Sequence, residues 1–257
     1  MAGRGGAQAR SRIDGRTARH RRYPTVDGGG EAATLRDLLE ARSGIYHGAN
    51  YETAEMAATR PPRGSHTHGT FWYYNNWDFN ALGAIYEKAE GATAFDAFDR
   101  QIAQPLGMQD FDPARCRYSG GPDSVYPAYL FSASARDLAR FGLLYLRHGR
   151  WRDRQIVPEQ WVADSTKSYS TSNFGPGYGY LWWIALHSPI LAPDSSFAWG
   201  HGGQFLFVIP SHDMVVVHLA RQRPGQPAVT YQQVSRLLAQ ILAAAPGDPN
   251  IPDLTPR

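Results

Sequence analysis

The feature that most constrains this chain is a change of hydrophobic period near Gly175. Before it, apolar residues recur at three-to-four spacing in separate stretches, the pattern of amphipathic helices. After it, residues 178 to 185, 204 to 210 and 214 to 220 are dense in aromatic and β-branched side chains, as strands are. Residues 197 to 200 read as a further strand. The link Pro210-Ser211-His212-Asp213 is short enough for a hairpin, so the strands are expected to run as an antiparallel meander. The last periodic stretch opens at Thr230 and places Val234, Leu237, Leu238 and Ile241 on one stripe, which is expected to cover a face of that sheet. Helices first, then sheet plus a closing helix, define an α+β chain.

The helical part is punctuated by its caps. Thr34 and Asp37 form a capping-box-like start with Leu35, Leu38 and Leu39 on one face, and Ser43-Gly44 closes this helix. A loop or weak helix follows to Arg60, and Pro61-Pro62-Arg63-Gly64 breaks the chain. Residues 71 to 83, FWYYNNWDFNALG, turn from loop into a helix carrying Phe79, Leu82, Gly83 and Tyr86 and running to Gly91. Thr93 caps the next helix, with Phe95, Phe98 and Ile102 inward and Pro105-Leu106-Gly107 at its end. Residues 109 to 130, rich in Gly, Pro and Tyr, read as loop. Ser134 caps a helix that buries Leu138, Phe141, Leu144 and Tyr145 and stops at Gly149. Residues 158 to 163 read as one more short helix. There is no internal repeat.

Composition sets outer bounds. With 257 residues, 42% hydrophobic and 12% aromatic, the chain has ample material for a buried core, which excludes a wholly disordered protein. No apolar run is long enough to span a bilayer. The single cysteine, Cys116, excludes an internal disulfide and a cysteine-rich metal site. The net charge of +3 is unevenly spread: residues 1 to 22 hold seven arginines against one acid, Asp14, so the rest of the chain carries −3. Residues 1 to 33 have no period and read as an irregular basic tail. Residues 1 to 22 contain no apolar core of a signal peptide and no aromatic side chain for base stacking, so no nucleic-acid partner is expected.

Three local patterns bear on chemistry. Gly200-His201-Gly202-Gly203 opens a strand, and its glycines let another molecule approach the backbone; an edge strand there would offer an N–H to a developing oxyanion. The same residues also suit a plain turn with a surface histidine. Tyr74-x-Asn76 sits where a loop enters a helix, at the end where backbone N–H groups are unpaired, but a tyrosine and an amide are common in loops. His66-x-His68 lacks a third ligand at convincing spacing, so no metal is expected. Trp72, Trp77, Trp182, Trp183 and Trp199 read as core or cleft wall. Gly-x-Ser-x-Gly, His-Glu-x-x-His and a phosphate-binding glycine loop are all absent from the sequence.

Taken together, the pieces resemble a known family. Residues 34 to 46 (TLRDLLEARSGIY), Tyr74-Asn75-Asn76 with Asn80-Ala81-Leu82-Gly83, Pro105-Leu106-Gly107-Met108, residues 134 to 143 (SARDLARFGL) and Gly200-His201-Gly202-Gly203 occur in that order. The chain is similar, from about residue 34 to about residue 244, to the serine β-lactamase-related superfamily. Its members are class C β-lactamases, DD-peptidases, carboxylesterases of the β-lactamase fold and 6-aminohexanoate-dimer hydrolases. The resemblance implies a partial β-lactamase-like domain over residues 34 to 257. Its mostly helical part would be 34 to 165, and its antiparallel sheet with the last helix 175 to 245, with the active site between them. It implies Tyr74 as the catalytic tyrosine, relaying a proton with help from a lowered pKa or a neighbouring cation. Asn76 would bond substrate and base. His201, where many members carry lysine, would bond the tyrosine or a substrate oxygen. Gly202, Gly203 and the backbone N–H of Gln204 would form the oxyanion and substrate-binding wall. The substrate would be a small ester or amide, with no cofactor.

One family element has no counterpart. The nucleophile is the serine of Ser-x-x-Lys, upstream of the first shared segment. The two lysines of this chain, Lys88 and Lys167, have Ile85 and Asp164 three residues before them. The sequence is therefore expected to be the C-terminal part of a family member, and inactive in acyl transfer as it stands. Ser43 and Ser134 read as a helix end and a cap, and Ser65 has no lysine three residues on. Two further readings stand beside the hydrolase: a non-catalytic remnant that binds a peptide or acyl ligand, and an unstable fragment whose sheet lacks its early strands.

Overall fold

The computed structural model describes residues 33–221, 225 and 227–245; the basic tail read over residues 1 to 33 lies, apart from Ala33, outside them. Helix α1 (Leu35–Leu39) starts at Thr34, whose side chain accepts from Asp37 N while the Asp37 carboxylate accepts from Thr34 N at 2.7 Å, a full capping box. It is shorter than the sequence suggests, stopping before Ser43. Helix α2 (Ala54–Thr59) fills the ambiguous stretch, and α3 (Asn76–Glu90) runs to Gly91, which takes the left-handed conformation at φ +69°. Helix α4 (Ala94–Phe98) is capped by Thr93 and passes through one π turn (Asp99–Ala103) into α5 (Gln104–Leu106), ended by Gly107.

The stretch 109 to 130 is not loop, as expected, but largely an antiparallel hairpin of β1 (Arg117–Gly121) and β2 (Ser124–Leu130), in which Tyr118 faces Tyr129. Its glycines and Pro127 hide it in the sequence; a two-stranded ribbon tolerates them because one side of each strand needs no partner. The hairpin is clamped onto α3 at Gly83. A Cβ there would come within 2.3 Å of the Tyr129 ring, and the Tyr129 hydroxyl donates to Phe79 O at 3.0 Å.

Helix α6 (Ala135–Leu146) is capped by Ser134 and followed by a short hairpin, β3 (Arg150–Trp151) and β4 (Arg154–Gln155), and by α7 (Glu159–Ser165). The main sheet then contains β5 (Ser170–Thr171), β6 (Gly177–Tyr178), β7 (Trp183–Ile184), β8 (Ser196–Gly200), β9 (Gln204–Ile209) and β10 (Met214–His218). Its spatial order is β10-β9-β8-β7-β6-β5 and every pairing is antiparallel, the meander that the short links require. Residues 178 to 185 are two strands rather than the single one expected. A tight turn divides them, with Leu181 at φ +62° and Gly179 so close to the Ser165 carbonyl that a Cβ would lie 2.3 Å from it.

Side-chain alternation along the strands separates two cores. Phe197, Phe205, Phe207 and Ile209 face one way and meet Val234 and Leu238 of α8 (Tyr231–Ala244). Leu206, Val208 and Ile184 face the other way and meet Tyr145 and Leu146 of α6 and Val162 of α7. Gly142 lets α6 settle on the sheet, since a Cβ would meet Val215 Cγ1 at 2.6 Å. The stripe of α8 differs from the expected one. Val234, Leu238 and Leu242 are buried, whereas Leu237 is 46% exposed, because the row at every fourth residue faces the sheet and Leu237 lies beside it. Among the described residues no helix is long and apolar enough to cross a membrane.

Candidate active site

Tyr73 N donates to Ala41 O at 2.9 Å and fixes the approach to α3. Asn75 is the cap: its Oδ1 accepts from Asp78 N at 2.9 Å and its Nδ2 donates to Tyr73 O at 2.8 Å. With Asn75 occupied in this way, Tyr74 and Asn76 diverge. The Tyr74 ring lies on the sheet, stacked on Trp183 at 5.2 Å and meeting Phe79 and Tyr178 edge-on at 4.9 and 6.0 Å. Burial among these rings pushes the phenol's pKa up. The described surroundings thus act against the lowered value that proton relay requires. Asn76 Nδ2 donates to Tyr51 O at 2.5 Å.

The Gly200–Gly203 turn joins β8 to β9, with Gly200 opposite Gln204. Gly202 and Gly203 are buried at φ +81° and +91°, and a Cβ on Gly203 would lie 2.7 Å from Val229 Cβ, so both positions need glycine. His218 Nδ1–H donates to Gly203 O at 2.8 Å. The Gln204 side chain is held by the chain beyond β10: its Nε2 donates to Ala220 O at 2.7 Å and its Oε1 accepts from Ala220 N at 3.3 Å. β9 has β8 and β10 on its two sides and is an interior strand, not the edge strand expected. His201 is exposed on the turn.

Among the described residues, Tyr74, Asn76 and His201 do not bond to one another. The sheet connects two of them, Tyr74 and His201. Tyr74 stacks on Trp183, Trp183 meets Trp199 at 6.0 Å, and Trp199 precedes Gly200 and His201 on the same strand. Asn76 faces the loop at Tyr51 instead. No group of three or more potential metal ligands gathers among the described residues; His66 Nδ1 lies 3.1 Å from the Tyr46 hydroxyl and His68 Nδ1 bonds Ser43 O.

Sequence reasoning missed a buried pair beneath this segment. Ser43 Oγ donates to Asp78 Oδ1 at 2.6 Å and accepts from Ile45 N at 3.0 Å. Asp78 is 0% exposed, and its Oδ2 has no hydrogen-bond partner. Desolvation is the largest influence on its carboxyl and raises its pKa from 3.8 to about 7, although Ser43 and Asn75 pull the other way. An acid in the first turn of a helix is an ordinary partner of the helix dipole, so only the tertiary fold distinguishes this one. Ser43 is itself buried and bonded, and lies beyond the end of α1 rather than forming that end as the sequence suggests.

The fold has counterparts among solved structures. A candidate 6-aminohexanoate-dimer hydrolase from Bacillus anthracis matches at TM-score 0.60 and 20% identity, over 84% of this chain and 63% of that one. A class C β-lactamase matches at 0.58 and 17%, over 84% and 70%. A penicillin-binding protein from Bacillus halodurans matches at 0.57 and 19%, over 81% and 72%. At these identities the likeness is one of fold, and the chain spans less than two thirds of the first of these structures. No curated protein matches it. The family model described as Beta-lactamase matches residues 12–240. With the antiparallel sheet, its flanking helices and the order of the shared segments, that match makes this chain a member of the β-lactamase family, within the serine β-lactamase-related superfamily.

Proposed function

We propose that this fold serves the hydrolysis of an ester or amide through an acyl-enzyme, and that the attacking serine is missing from this chain. In that reaction a serine oxygen attacks the substrate carbonyl and its proton passes by way of Tyr74 to the leaving group. The oxyanion accepts from the Gln204 N–H and from the nucleophile's own N–H. Water then attacks the ester and the serine recovers its proton. Asn76 and His201 orient the substrate and the phenol. The observation that carries the reading is Tyr74. The rings of Trp183, Phe79 and Tyr178 hold it in place, and its hydroxyl bonds to no described residue, which leaves it for a group brought to it.

The absence of Ser-x-x-Lys from the sequence also favours a second reading, a non-catalytic relative that binds a peptide or acyl ligand. Removing a nucleophile lowers kcat by roughly a million-fold. The purified chain is therefore expected to give no burst with a p-nitrophenyl ester and no stoichiometric labelling by a fluorophosphonate. Stoichiometric labelling of Ser43, Ser65 or Ser134 would overturn the missing-nucleophile reading. Reversible binding of an acyl ligand without labelling, weakened by Tyr74→Phe, would select the second.

A further inference from the structure

A hollow whose lining includes none of these residues lies at the end of α6. Its volume is about 520 Å³ and Leu143, Arg147, His148, Arg150, Trp151 and Arg152 line it. Residues 147 to 154 hold four arginines and one aspartate, in a chain that is net negative beyond residue 22. Arg147 is paired with Asp213. Arg150, Arg152 and Arg154 form no ion pair with any described residue. Crowded cations that outnumber the acids beside them raise the local potential and favour an anion.

The platform under these arginines is rigid. Ile156 N and Val157 N both donate to Gly149 O, at 2.9 and 3.1 Å. Gln155 Nε2 donates to His148 O at 2.8 Å and to Val157 O at 2.6 Å. Gly149, at φ +80°, has the Val157 carbonyl 2.0 Å from where a Cβ would stand. Two lining residues, His148 at φ +51° and Arg152 at φ +55°, occupy the left-handed region that glycine or asparagine fills more easily. Such positions are costly to hold, and strain of this kind gathers at functional sites.

We propose that this hollow binds a small ligand carrying two or more phosphate groups. Guanidinium forks match phosphate oxygens in pairs, and the two unpaired forks that line the hollow, Arg150 and Arg152, with Arg154 on the same rigid hairpin, suit more than one phosphate. The volume falls within the range of small-molecule sites, roughly 300–1,000 Å³, and Trp151 adds a flat apolar wall. The site is independent of the proposed hydrolysis.

The test is calorimetric titration of the full chain with inorganic tripolyphosphate at low salt, beside the Arg150→Gln/Arg152→Gln variant. Saturable binding is expected, weakening at least tenfold in the variant and ranking tripolyphosphate above pyrophosphate above orthophosphate. The arginines of residues 1 to 22 are present in both proteins, so their contribution cancels. Equal affinity in the two proteins overturns the proposal. So does binding only to phosphatidylglycerol vesicles, which would make a lipid surface the source of the phosphate. A second measurement needs no variant: tripolyphosphate should protect Arg150 and Arg152 from phenylglyoxal as read by mass spectrometry, and lack of protection counts against the site.

Discussion

The two sides of the molecule that meet at Tyr74 are built on different principles. The sheet is closed by hydrocarbon: Phe197, Phe205, Phe207, Ile209 and Leu238 are all but inaccessible, with rings stacked at 5.6 Å across β8 and β9 and at 5.7 Å along β9. Around the start of α3 a small apolar cluster of Leu38, Ala49, Trp77 and Ala81 is joined by a set of buried polar residues, Ser43, Asn50, Asn75, Asp78 and Asn80. Asn50 Nδ2 donates to Ser124 O and Tyr126 O, each at 2.8 Å, and Asn80 Nδ2 donates to Asn50 O at 3.1 Å. Apolar burial is non-directional and large in sum. Buried hydrogen bonds contribute little net stability but fix positions, and an unmade one is expensive. The sheet therefore supplies stability, and the polar cluster sets where the candidate site's segment stands.

The strongest test of that contrast is Phe207→Ala, expected to destabilise by about 3–5 kcal/mol in chemical denaturation. A smaller loss than that of the Ser43 variant below would invert the comparison. Asp78 comes next. Its folded pKa of about 7 against an ordinary 3.8 means that the fold binds more protons than the unfolded chain between those values. Stability should be fully present below about pH 4 and fall as pH rises through 7, by on the order of a few kcal/mol. Asp78→Asn should flatten that slope, and an unchanged slope would remove Asp78 as its source. Ser43→Ala deprives Asp78 Oδ1 of its donor and should cost about 1–3 kcal/mol, measured at pH 7 by urea unfolding. Thr230→Ala removes the capping box of α8 and should cost about 0.5–2 kcal/mol, read the same way. Leu237→Glu, on the face of α8 that the stripe misassigned, should change stability by no more than about 0.5 kcal/mol. A larger loss would return Leu237 to the core.

How much was legible follows from the range of each interaction. Thr34, Thr93, Ser134 and Thr230 each cap the helix that the sequence assigns to them, since a cap is decided within three residues. The runs before and after Pro210 are strands, and their short link leaves only antiparallel pairing. The hairpin over 117 to 130, the division of residues 178 to 185 and the choice of Leu242 over Leu237 all depend on what packs opposite, which no local window contains. In the candidate site, the sequence points to Tyr74, Asn76, His201 and the buried glycines, but not to the contacts each one makes.

What the sequence determined by itself was the α+β order, the helix starts and the family motifs, because periodicity and capping are written within a few residues. What only the tertiary structure decided was the surroundings. It laid the Tyr74 ring on Trp183, turned Asn76 toward Tyr51, and sank Asp78 where its charge is disfavoured. The physical reason is that desolvation and hydrogen-bond completion depend on every element packed around a group, and those elements come from distant parts of the chain.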